Sequence, residues 1–537
     1  MCILKYLLFC CVICISCSHA SLHQKQLMHA LDFSAANSKE LEKVLKHYEH
    51  DSLKLEAAKF LIRNMPHCYS YQQGGEMDSV KRVRTYYSPF GQIDQTYARR
   101  WGHYTYRNLL KIYDAHIITA EYLIDNIDRA FDNWQKRPWN RSLSFEDFCE
   151  YLLPYRIGDE PLEEWRELYE KKYGYLLDSI YKGSDVVEAA NLVSRHLQEP
   201  VFIYCEDFEL PHIGPRYLFS HRYGSCVDAA DIVTYAFRAV GIPCMEDTDA
   251  RGGHVWNVVR DTTESDVPIW YIASEAVRGS RDTGGYKRGK VYRSMYGFQE
   301  EKAAHLGDDW KSMPLLFYHP YMKDVSYAYY PDTLRILTGI PDGEVCYLAH
   351  FHEAHWWSCA CARSASGKME IPNLESELVY LPMKYTKGNY YPSGFPFWFA
   401  GGEINTFLPD WEKTVKVRLY RKYPVYGWLR SFMGHVVGGT FEGSMTKDFE
   451  DGKTLYEIAD TPVIARNRIF LNKPVKCRYI RYKADNDKCA ELAEMTFYAN
   501  GKAVSPIAVW GSPTEKGICM CWQSMWRMVI LFLIICL

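Results

Sequence analysis

The sequence predicts an α+β multidomain protein, with helices in its N-terminal third and strands in its C-terminal half. A chain of 537 residues is too long for one hydrophobic core. Apolar residues recur at helical spacing from Leu41 onward, and after position 325 short β-branched and aromatic runs alternate with Gly, Pro and Asn. We therefore expect a helical N-terminal region, an α+β core and C-terminal β-sandwich modules.

Changes in these patterns define the expected segments of the chain. In chain order they are a signal peptide (1–20), a mainly helical region (21–195), an α+β core (196–310), a β-rich domain (326–425), a partial β-sandwich (426–510) and an anomalous apolar tail (511–537). The tail closes with ten apolar residues from Met528, about half the length of a membrane helix. We interpret it as a frameshifted or truncated end rather than an anchor.

The first twenty residues indicate export. Lys5 lies beside an apolar run that is too short to span a bilayer and that ends in small residues. Cleavage after Ala20 fits this pattern, and so does lipid attachment at Cys17, because "ISCS" resembles the lipoprotein boxes of Bacteroidetes-type bacteria. We favour the lipoprotein, although Cys14 stands where an aliphatic residue is usual, and expect a periplasmic or surface protein, lipid-anchored or secreted in soluble form.

Composition and cysteine spacing argue against several functions. The 63 basic and 66 acidic residues are interspersed and leave a net charge of −3, so no nucleic-acid partner is expected. Outside the signal peptide 13 cysteines remain, without repeated spacing, so the sequence does not predict a disulfide framework. The pairs Cys359/Cys361 and Cys519/Cys521 are weak zinc signals. No nucleotide-binding Gly-rich loop is present, and we expect no cofactor.

Four stretches of the N-terminal third predict helices. The first, "LEKVLKHYEHDSLKLEAAKFLIRNM", starts at Leu41, and the second, "SFEDFCEYLLPYRI", is capped by Ser144. The third, "EPLEEWRELYEKKY", begins at Pro161, a residue that the first turn of a helix tolerates. The fourth, "SDVVEAANLVSRHLQEP", is capped by Ser184 and ends before Pro200.

The stretch "YGSCVDAADIVTYAFRAVGIPC" (223–244) predicts a helix that begins at Cys226 and ends at Gly241. One apolar face is formed by residues at helical spacing, namely Ala229, Ile232, Val233, Ala236, Phe237 and Val240. Cys226 therefore lies in the first turn, where unpaired N–H groups and the helix dipole favour a thiolate over a thiol. A cysteine nucleophile requires this environment.

A β-hairpin is predicted twenty-eight residues after Cys226. "GGHVWNVVRD" predicts a strand with His254, Trp256 and Val258 on one face, "TTESDVP" a turn, and "IWYIASEA" a second strand. Such a hairpin would hold His254 against the sulfur while an acid on the neighbouring strand orients the imidazole.

These motifs resemble the transglutaminase-like superfamily of papain-like Cys–His–Asp enzymes. The resemblance rests on Gly224-Ser225-Cys226, on Arg238-Ala239-Val240-Gly241-Ile242-Pro243, and on His254-Val255-Trp256. It implies a papain-like, transglutaminase-like α+β core in which Cys226 and His254 are catalytic. The helical region and "RGKVYR" are similar to sequences that accompany this core in large exported Bacteroidetes proteins.

The third catalytic residue departs from the family pattern. The family usually ends the strand after the histidine in Asp, whereas this chain has "WYIASEA". We expect Glu275 to be the acid, with Ser274 and Asp266 as lesser alternatives.

Three other motifs carry weaker signals. "HFHEAHWW" contains His350, His352 and His355, but not at the spacing of zinc proteases, so a metal site is a minor alternative. "YKRGKVYR" (286–293) predicts an exposed strand or loop. Two stretches after residue 437, "GGTFEGSMTKDFEDGKTLYEIADTP" and "CRYIRYKADNDKCAELAEMTFYANG", are similar to discoidin-type, galactose-binding-like sandwiches, which implies sugar or cell-surface binding; a purely structural sandwich is the alternative.

The sequence therefore predicts an exported cysteine enzyme that acts on amide bonds through an acyl-enzyme. Water as acceptor makes it a peptidase or amidase, which we rank first. A lysine amine makes it a cross-linker, and cleavage at a glycosylated asparagine makes it a deglycosylase. The expected partners are a peptide, protein or glycoprotein substrate, a glycan at the C-terminal sandwich, and a membrane only through lipid on Cys17. The alternative is an inactive transglutaminase-like scaffold that binds glycans or proteins.

Overall fold

The computed structural model describes residues 22–85, 105–197, 199, 201–204, 210–251, 253–263, 265–272, 274–280, 287–300, 313–352, 355–416, 433–463, 467–471, 473, 475–485, 494–499, 501–508 and 532–536. The signal segment with Cys17, the pair Cys519/Cys521 and most of the predicted strand "VKVRLYRKYP" lie outside these residues. The chain forms two compact units, of which the first comprises Met1–Tyr87, Ile93–Phe351 and Trp356–Leu408, and the second comprises Ser88–Gln92, His352–His355 and Pro409–Leu537.

The chain is a mixed α and β protein with several sheets, as the fold class predicts. Its N-terminal part is mainly helical, and the helices are α1 (22–33), α2 (Ser38–His47), α3 (Ser52–Asn64), α4 (Gly75–Thr85), α5 (Ala120–Lys136) and α6 (Phe145–Tyr151). The stretch that starts at Leu41 forms two helices, because Asp51 caps α3 by accepting the N–H of Lys54. Ser144 caps α6 as predicted, since its hydroxyl accepts the N–H of Asp147 at 3.0 Å.

Two helix starts differ from the prediction. Helix α7 (Arg166–Tyr175) begins five residues after Pro161, because the indole N–H of Trp165 donates to the main-chain oxygen of Tyr155 and anchors the preceding residue in the core. Helix α8 (Val186–His196) is capped by Asp185 and not by Ser184, since the Asp185 carboxylate accepts two N–H groups of the first turn. A carboxylate at this position also interacts favourably with the helix dipole.

The core of the first unit is a five-stranded antiparallel sheet with a buried helix against it. The helices are α9 (Pro215–His221) and α10 (Cys226–Ala239), and the strands are β5 (Cys244–Asp249), β6 (Val255–Val259), β7 (Val267–Ile269), β8 (Val291–Ser294) and β9 (Met322–Asp324), arranged β7-β6-β5-β8-β9. The predicted apolar face of α10 is buried together with the rest of the helix after Val227. Burial of this face against the sheet fixes the position of the Cys226 end.

The predicted hairpin is present in this sheet. Strands β6 and β7 pair antiparallel, with Asn257 opposite Ile269. The second strand lies earlier than predicted: β7 includes Val267 and Pro268 of the predicted turn and only Ile269 of the predicted strand "IWYIASEA", and residues from Trp270 onward leave the sheet. Glu275 therefore lies in a loop and not on a strand beside His254.

Residues 288–293 of the basic stretch are buried, so the prediction of an exposed segment is wrong for them. Its last residues form β8, and Arg288, Lys290 and Arg293 are 1%, 2% and 2% exposed. Arg293 pairs with both oxygens of Asp247, and Lys290 pairs with Asp324. The buried carboxylate of Asp247 compensates Arg293, and the exposed carboxylate of Asp324 compensates Lys290, which a count of basic residues does not reveal.

Short strands make up the rest of the first unit. Three pairs of strands form two-stranded sheets: β1 (Tyr69–Tyr71) with β2 (Lys111–Tyr113), β3 (Ile203–Tyr204) with β4 (Tyr223–Gly224), and β10 (Asp332–Leu337) with β13 (Lys368–Leu374). A larger sheet has the strand order β12 (His355–Arg363), β11 (Val345–His352), β14 (Leu378–Thr386), β16 (Phe397–Ala400) and β17 (Glu403–Thr406). In this sheet β15 (Asn389–Pro392) also pairs with β14. A single helical turn, α11 (Leu315–Tyr318), precedes β9. The predicted strands in "EVCYLAHF" and "ELVYLPMKY" are confirmed as β11 and β14.

The second unit contains two small sheets. One consists of β19 (Lys453–Glu457), β18 (Thr440–Ser444) and β21 (Tyr479–Lys483), and the other of β20 (Asn467–Phe470), β24 (Phe532–Cys536), β22 (Glu494–Ala499) and β23 (Lys502–Val504). The strands predicted in "CRYIRYKA" and "AEMTFYANG" are β21 and β22. Residues 532–536 of the apolar tail pair in parallel with β20 and β22.

Candidate active site

Cys226 is the first residue of α10, and a capping box fixes the turn that carries it. The N–H of Ser225 donates to the Asp228 carboxylate at 2.7 Å, and the Ser225 side chain accepts the N–H of Asp228 in return. Cys226 is partly exposed, whereas burial raises the pKa of Cys68 and of Cys244 to about 12. A partly exposed sulfur at a helix N-terminus is in the environment that activates a cysteine.

Tyr204 lies near this sulfur and also near Tyr271. Tyr204 on β3 pairs in register with Gly224 on β4, two residues before Cys226. Partial burial of the Tyr204 phenol, followed by the nearby Cys226 and Tyr271, raises its pKa to about 12. Tyr271 follows β7, so Tyr204 interacts electrostatically both with the start of α10 and with the residues just after the hairpin.

His254 lies at the other side of the same aromatic cluster, immediately before β6. Its ring centroid is 5.2 Å from that of Tyr271 and 5.9 Å from that of Trp256. The Nε2 atom is 2.9 Å from the main-chain oxygen of Trp270. A carbonyl oxygen only accepts, so Nε2 carries the proton, and in the neutral ring Nδ1 is the basic nitrogen.

The charge of the His254 ring is set by its surroundings. Burial lowers its pKa, the hydrogen bond to Trp270 opposes this effect, and the positive charge of Arg288 adds to it, so that the pKa lies below its ordinary value. The ring is therefore neutral at pH 7. A neutral imidazole is the form that accepts a proton from a thiol.

The packing of α10 on the sheet determines where the start of α10 lies relative to the start of β6. Arg238 and Thr234 contact Cys244 and Glu246, so β5 runs antiparallel to α10. Strand β6 is antiparallel to β5 and hence parallel to α10, and Asn257 donates to the main-chain oxygen of Ala230. The residue before β6 and the first residue of α10 consequently lie at the same end of the core.

No hydrogen bond joins the His254 ring to Cys226; Cys226 lies near Tyr204, and the His254 ring lies near Tyr271. The only hydrogen bond of the His254 ring to another described residue is the one to Trp270, and its Nδ1 atom makes none. Catalytic hydrogen bonds are often long before substrate binds.

The structure does not bring the three expected acids to His254. Glu275 pairs at 3.2 Å with Arg195, and both side chains are more than half exposed. The Ser274 hydroxyl donates to the main-chain oxygen of Tyr271. Asp266 belongs to the buried cluster of Arg293 and the Tyr151 hydroxyl. A main-chain carbonyl occupies the orienting position expected of Glu275.

A second histidine of the core contacts a carboxylate. Nδ1 of His212 lies 2.9 and 3.0 Å from the two oxygens of Asp231, which is fully buried in the middle of α10. Burial alone lowers the pKa of His212, but the Asp231 carboxylate outweighs it and holds the pKa well above the ordinary value. Burial raises the pKa of the Asp231 carboxyl and His212 opposes that effect, so the two groups titrate as a coupled pair in which the proton is held on the His212 side.

A cavity of about 530 Å³ lies beside the hairpin and receives the His212 side chain. Its charged lining includes Arg156, Asp159, Arg238 and Glu246, and aromatic side chains such as Tyr296 and Tyr321 line the rest. Thr248, which also lines the cavity, donates its hydroxyl to the main-chain oxygen of His254 at 3.1 Å. The cavity is therefore next to the candidate catalytic end of the core.

Histidine and cysteine motifs outside the core form no metal site in the part of the chain that the structure describes. No group of three or more His, Cys, Asp or Glu residues there is arranged to hold an ion. His350 is buried on β11. His352 and His355 belong to the second unit.

Sequence reasoning missed the Trp270 carbonyl, Tyr204, Tyr271 and Arg288. The hairpin register offered one signal, because extending the pair Asn257–Ile269 places Tyr271 opposite Val255, next to His254.

Comparisons with known protein families, with curated proteins and with solved structures find no match to this chain. Among the described residues, none of the helices is long and apolar enough to cross a membrane.

Proposed function

We propose that Cys226 and His254 form the catalytic pair of a transglutaminase-like cysteine enzyme that hydrolyses amide bonds in peptides or proteins. The observation that carries the proposal is the hydrogen bond from Nε2 of His254 to the Trp270 carbonyl. This bond leaves a basic nitrogen on a buried, neutral ring at the end of the core where α10 presents Cys226. The motifs of the transglutaminase-like superfamily in the sequence support the same pair.

The reaction proceeds in two proton-coupled steps. Nδ1 of His254 takes the thiol proton of Cys226 as the sulfur attacks the amide carbonyl, and then delivers this proton to the leaving amine, so that a thioester remains. Nδ1 next takes a proton from water, which attacks the thioester and releases the acid and the thiol. N–H groups of the first turn of α10 are the nearest donors for the oxyanion.

A thiol-reactive probe tests this proposal directly. We expect iodoacetamide at pH 7 to label Cys226 at a rate that falls by about 100-fold or more in His254→Ala, the usual size of a general-base contribution. Peptide mapping by mass spectrometry measures the rate at each cysteine. Cys226→Ala removes the labelled peptide, and Cys361→Ala, a change at another partly exposed cysteine, leaves the Cys226 rate unchanged. Equal rates in the wild type and His254→Ala reject the catalytic pair.

A second candidate function is that of an inactive scaffold for glycan or protein binding. It is favoured by the absence, among the described residues, of a carboxylate hydrogen-bonded to His254. A carboxylate is the group that stabilises the imidazolium formed during catalysis. A glycan array with the full chain separates the two, because a scaffold binds equally well as wild type and as Cys226→Ala and releases no amine from peptide substrates.

A further inference from the structure

Helix α10 buries a row of polar side chains in addition to its apolar face. Asp228, Asp231, Tyr235 and Arg238 follow one another at intervals of three or four residues, and each is at most 5% exposed. Residues at this spacing lie on one face of a helix, and burying polar groups costs free energy unless they have polar partners. Arg238 lines the cavity of about 530 Å³, and His212, which also lines it, contacts Asp231. Part of the polar face of α10 therefore borders the cavity.

Three side chains of the cavity lining each have one polar atom that makes no hydrogen bond to another described residue. Glu246 accepts the Thr234 hydroxyl through Oε1, which leaves Oε2. Asp159 accepts the N–H of His212 through Oδ1, which leaves Oδ2, and His212 uses Nδ1 for Asp231, which leaves Nε2. Glu246 is only 8% exposed. The cavity thus offers two carboxyl oxygens and one imidazole nitrogen to a ligand.

A glycine provides the space for the His212 ring. Gly158 lines the cavity, and a Cβ atom at this position would lie 2.3 Å from Nε2 of His212, closer than real Cβ atoms approach their neighbours. A side chain at position 158 would therefore displace the ring. The absence of one keeps Nε2 beside the cavity.

The arginines of the lining already have partners in the protein. Arg156 donates to both oxygens of Asp114, Arg251 donates to Asp249, and Arg238 donates to main-chain oxygens. An anionic ligand would meet these engaged guanidinium groups together with carboxylates, and a cationic ligand would meet three arginines. The balance of charge favours a neutral ligand with many hydrogen-bonding groups.

Aromatic rings give the same cavity an apolar surface. The rings of His67 and Tyr321 are stacked, with centroids 3.5 Å apart and an interplanar angle of 15°, and the ring of Tyr296 lies 5.9 Å from that of His67. Burial lowers the pKa of His67 to about 3, so this ring is neutral at pH 7. A sugar combines a face of C–H groups, which packs on aromatic rings, with hydroxyl groups that both donate and accept hydrogen bonds.

From this geometry we propose that the cavity binds a neutral saccharide of one or two sugar rings. Its hydroxyl groups bond to Glu246, Asp159 and His212, and its C–H face packs against the aromatic rings. Pockets that enclose small ligands measure about 300–1,000 Å³, a range that includes this cavity. The site lies in the first unit, whereas the sequence suggested sugar binding by the C-terminal sandwich. It does not depend on whether Cys226 and His254 react.

A glycan array followed by calorimetry tests the proposal. Labelled full-length Cys226→Ala protein is applied to neutral oligosaccharides and to their sialylated, sulfated and amino-sugar counterparts, and we expect the strongest binding to neutral members. The best neutral disaccharide is then titrated both free and linked to a peptide, which distinguishes a free sugar from the glycan of a glycoprotein. An array without a neutral binder, or with stronger binding of charged compounds, overturns the proposal. Sugar binding by a wild type that releases no amine from peptides rejects the proposed function and leaves the saccharide site intact.

Variants of the lining locate the bound sugar. Glu246→Met keeps the length of the side chain and removes both oxygens, and we expect the affinity for the disaccharide to fall by about 10-fold or more. Asp159→Asn, which retains an acceptor for the N–H of His212, serves if Glu246→Met does not fold, with an expected fall of about 5-fold. Glu42→Met, the same substitution at an exposed carboxylate outside the cavity, is the control with unchanged affinity. Circular dichroism and the Tm confirm that each variant is folded. An unchanged affinity in a folded cavity variant places the sugar elsewhere and overturns the proposal.

Discussion

His212 and His254 lie in the same core and are held in opposite charge states. Both rings are largely buried; Nδ1 of His212 lies 2.9 and 3.0 Å from two carboxylate oxygens, and Nε2 of His254 lies 2.9 Å from one carbonyl oxygen. The partner of His212 is the carboxylate of Asp231, and the ring is a cation. The partner of His254 is a carbonyl, with Arg288 nearby, and the ring is neutral. The charge of the partner, more than burial, decides which histidine is able to act as a base.

The comparison assigns different tasks to the two histidines. An ion pair in the middle of α10 stabilises the helix against the cavity wall, and its proton is not available for transfer. A neutral ring near the start of α10 contributes less to stability but keeps a basic nitrogen. Three changes test this difference, and the first is expected to have the largest effect.

Asp231→Asn removes the charge partner of His212. We expect the free energy of unfolding to fall by about 3 kcal/mol at pH 7, because the change breaks a buried ion pair and leaves one member uncompensated. Urea unfolding followed by circular dichroism measures the loss. Asp32→Asn, a carboxylate for which the structure records no ion pair to another described residue, is the control with an expected change within about 0.5 kcal/mol. A loss below about 1 kcal/mol for Asp231→Asn means that the pair is not charged.

The free energy of unfolding below pH 7 depends on the charge of His254. Its folded pKa lies below the ordinary value, so between these two pH values the unfolded chain binds more protons and stability falls as the pH falls. One such group contributes a slope of at most about 1.4 kcal/mol per pH unit below pH 6.5.

His254→Gln should remove this slope. Unfolding of the variant and the wild type by urea at a series of pH values from 7 downward measures the difference. The stability contributed by His212 has the opposite dependence, since its raised pKa makes that contribution complete below pH 6.5 and lost as the pH rises through the folded pKa. Parallel curves for the two proteins below pH 6.5 would contradict a neutral His254.

Glu275→Gln should have the smallest effect. The carboxylate forms an exposed ion pair with Arg195, and such pairs contribute about 0–1 kcal/mol. We expect little change in the free energy of unfolding and no change in the iodoacetamide rate of Cys226. A fall of about 100-fold in that rate would restore Glu275 as the orienting acid. Arg195→Gln, which removes the other half of the pair, is the matched control.

The local sequence pattern was sufficient to predict the helix and the strand next to which Cys226 and His254 lie. The apolar spacing after Cys226 predicted α10 and its first residue, and the alternation around His254 predicted β6 and a hairpin, although β7 lies earlier in the chain than predicted. These features depend on residues close together in the chain. The cap of α8 was missed by one residue, because Ser184 and Asp185 are both good caps and packing selects between them.

The partners of the site could not be predicted in the same way. Glu275 was chosen for its residue type, but the end of β7 at Ile269 directs it to the surface. The group that orients His254 is a main-chain oxygen, and every residue has one. Arg288 is separated from His254 by 33 residues, and the basic stretch that contains it predicts an exposed segment. Its contacts with Trp256 and Trp270 arise only when the sheet forms, so the local sequence does not reveal them.

The use of a backbone atom at Trp270 affects how this site tolerates genetic change. A triad acid is lost by one missense mutation, whereas any amino acid placed at position 270 still brings a carbonyl oxygen. Missense variants there would alter side-chain packing and the nearby cation before they affect the acceptor. A search that inspects only acidic side chains would therefore overlook the group that accepts the Nε2 proton of His254.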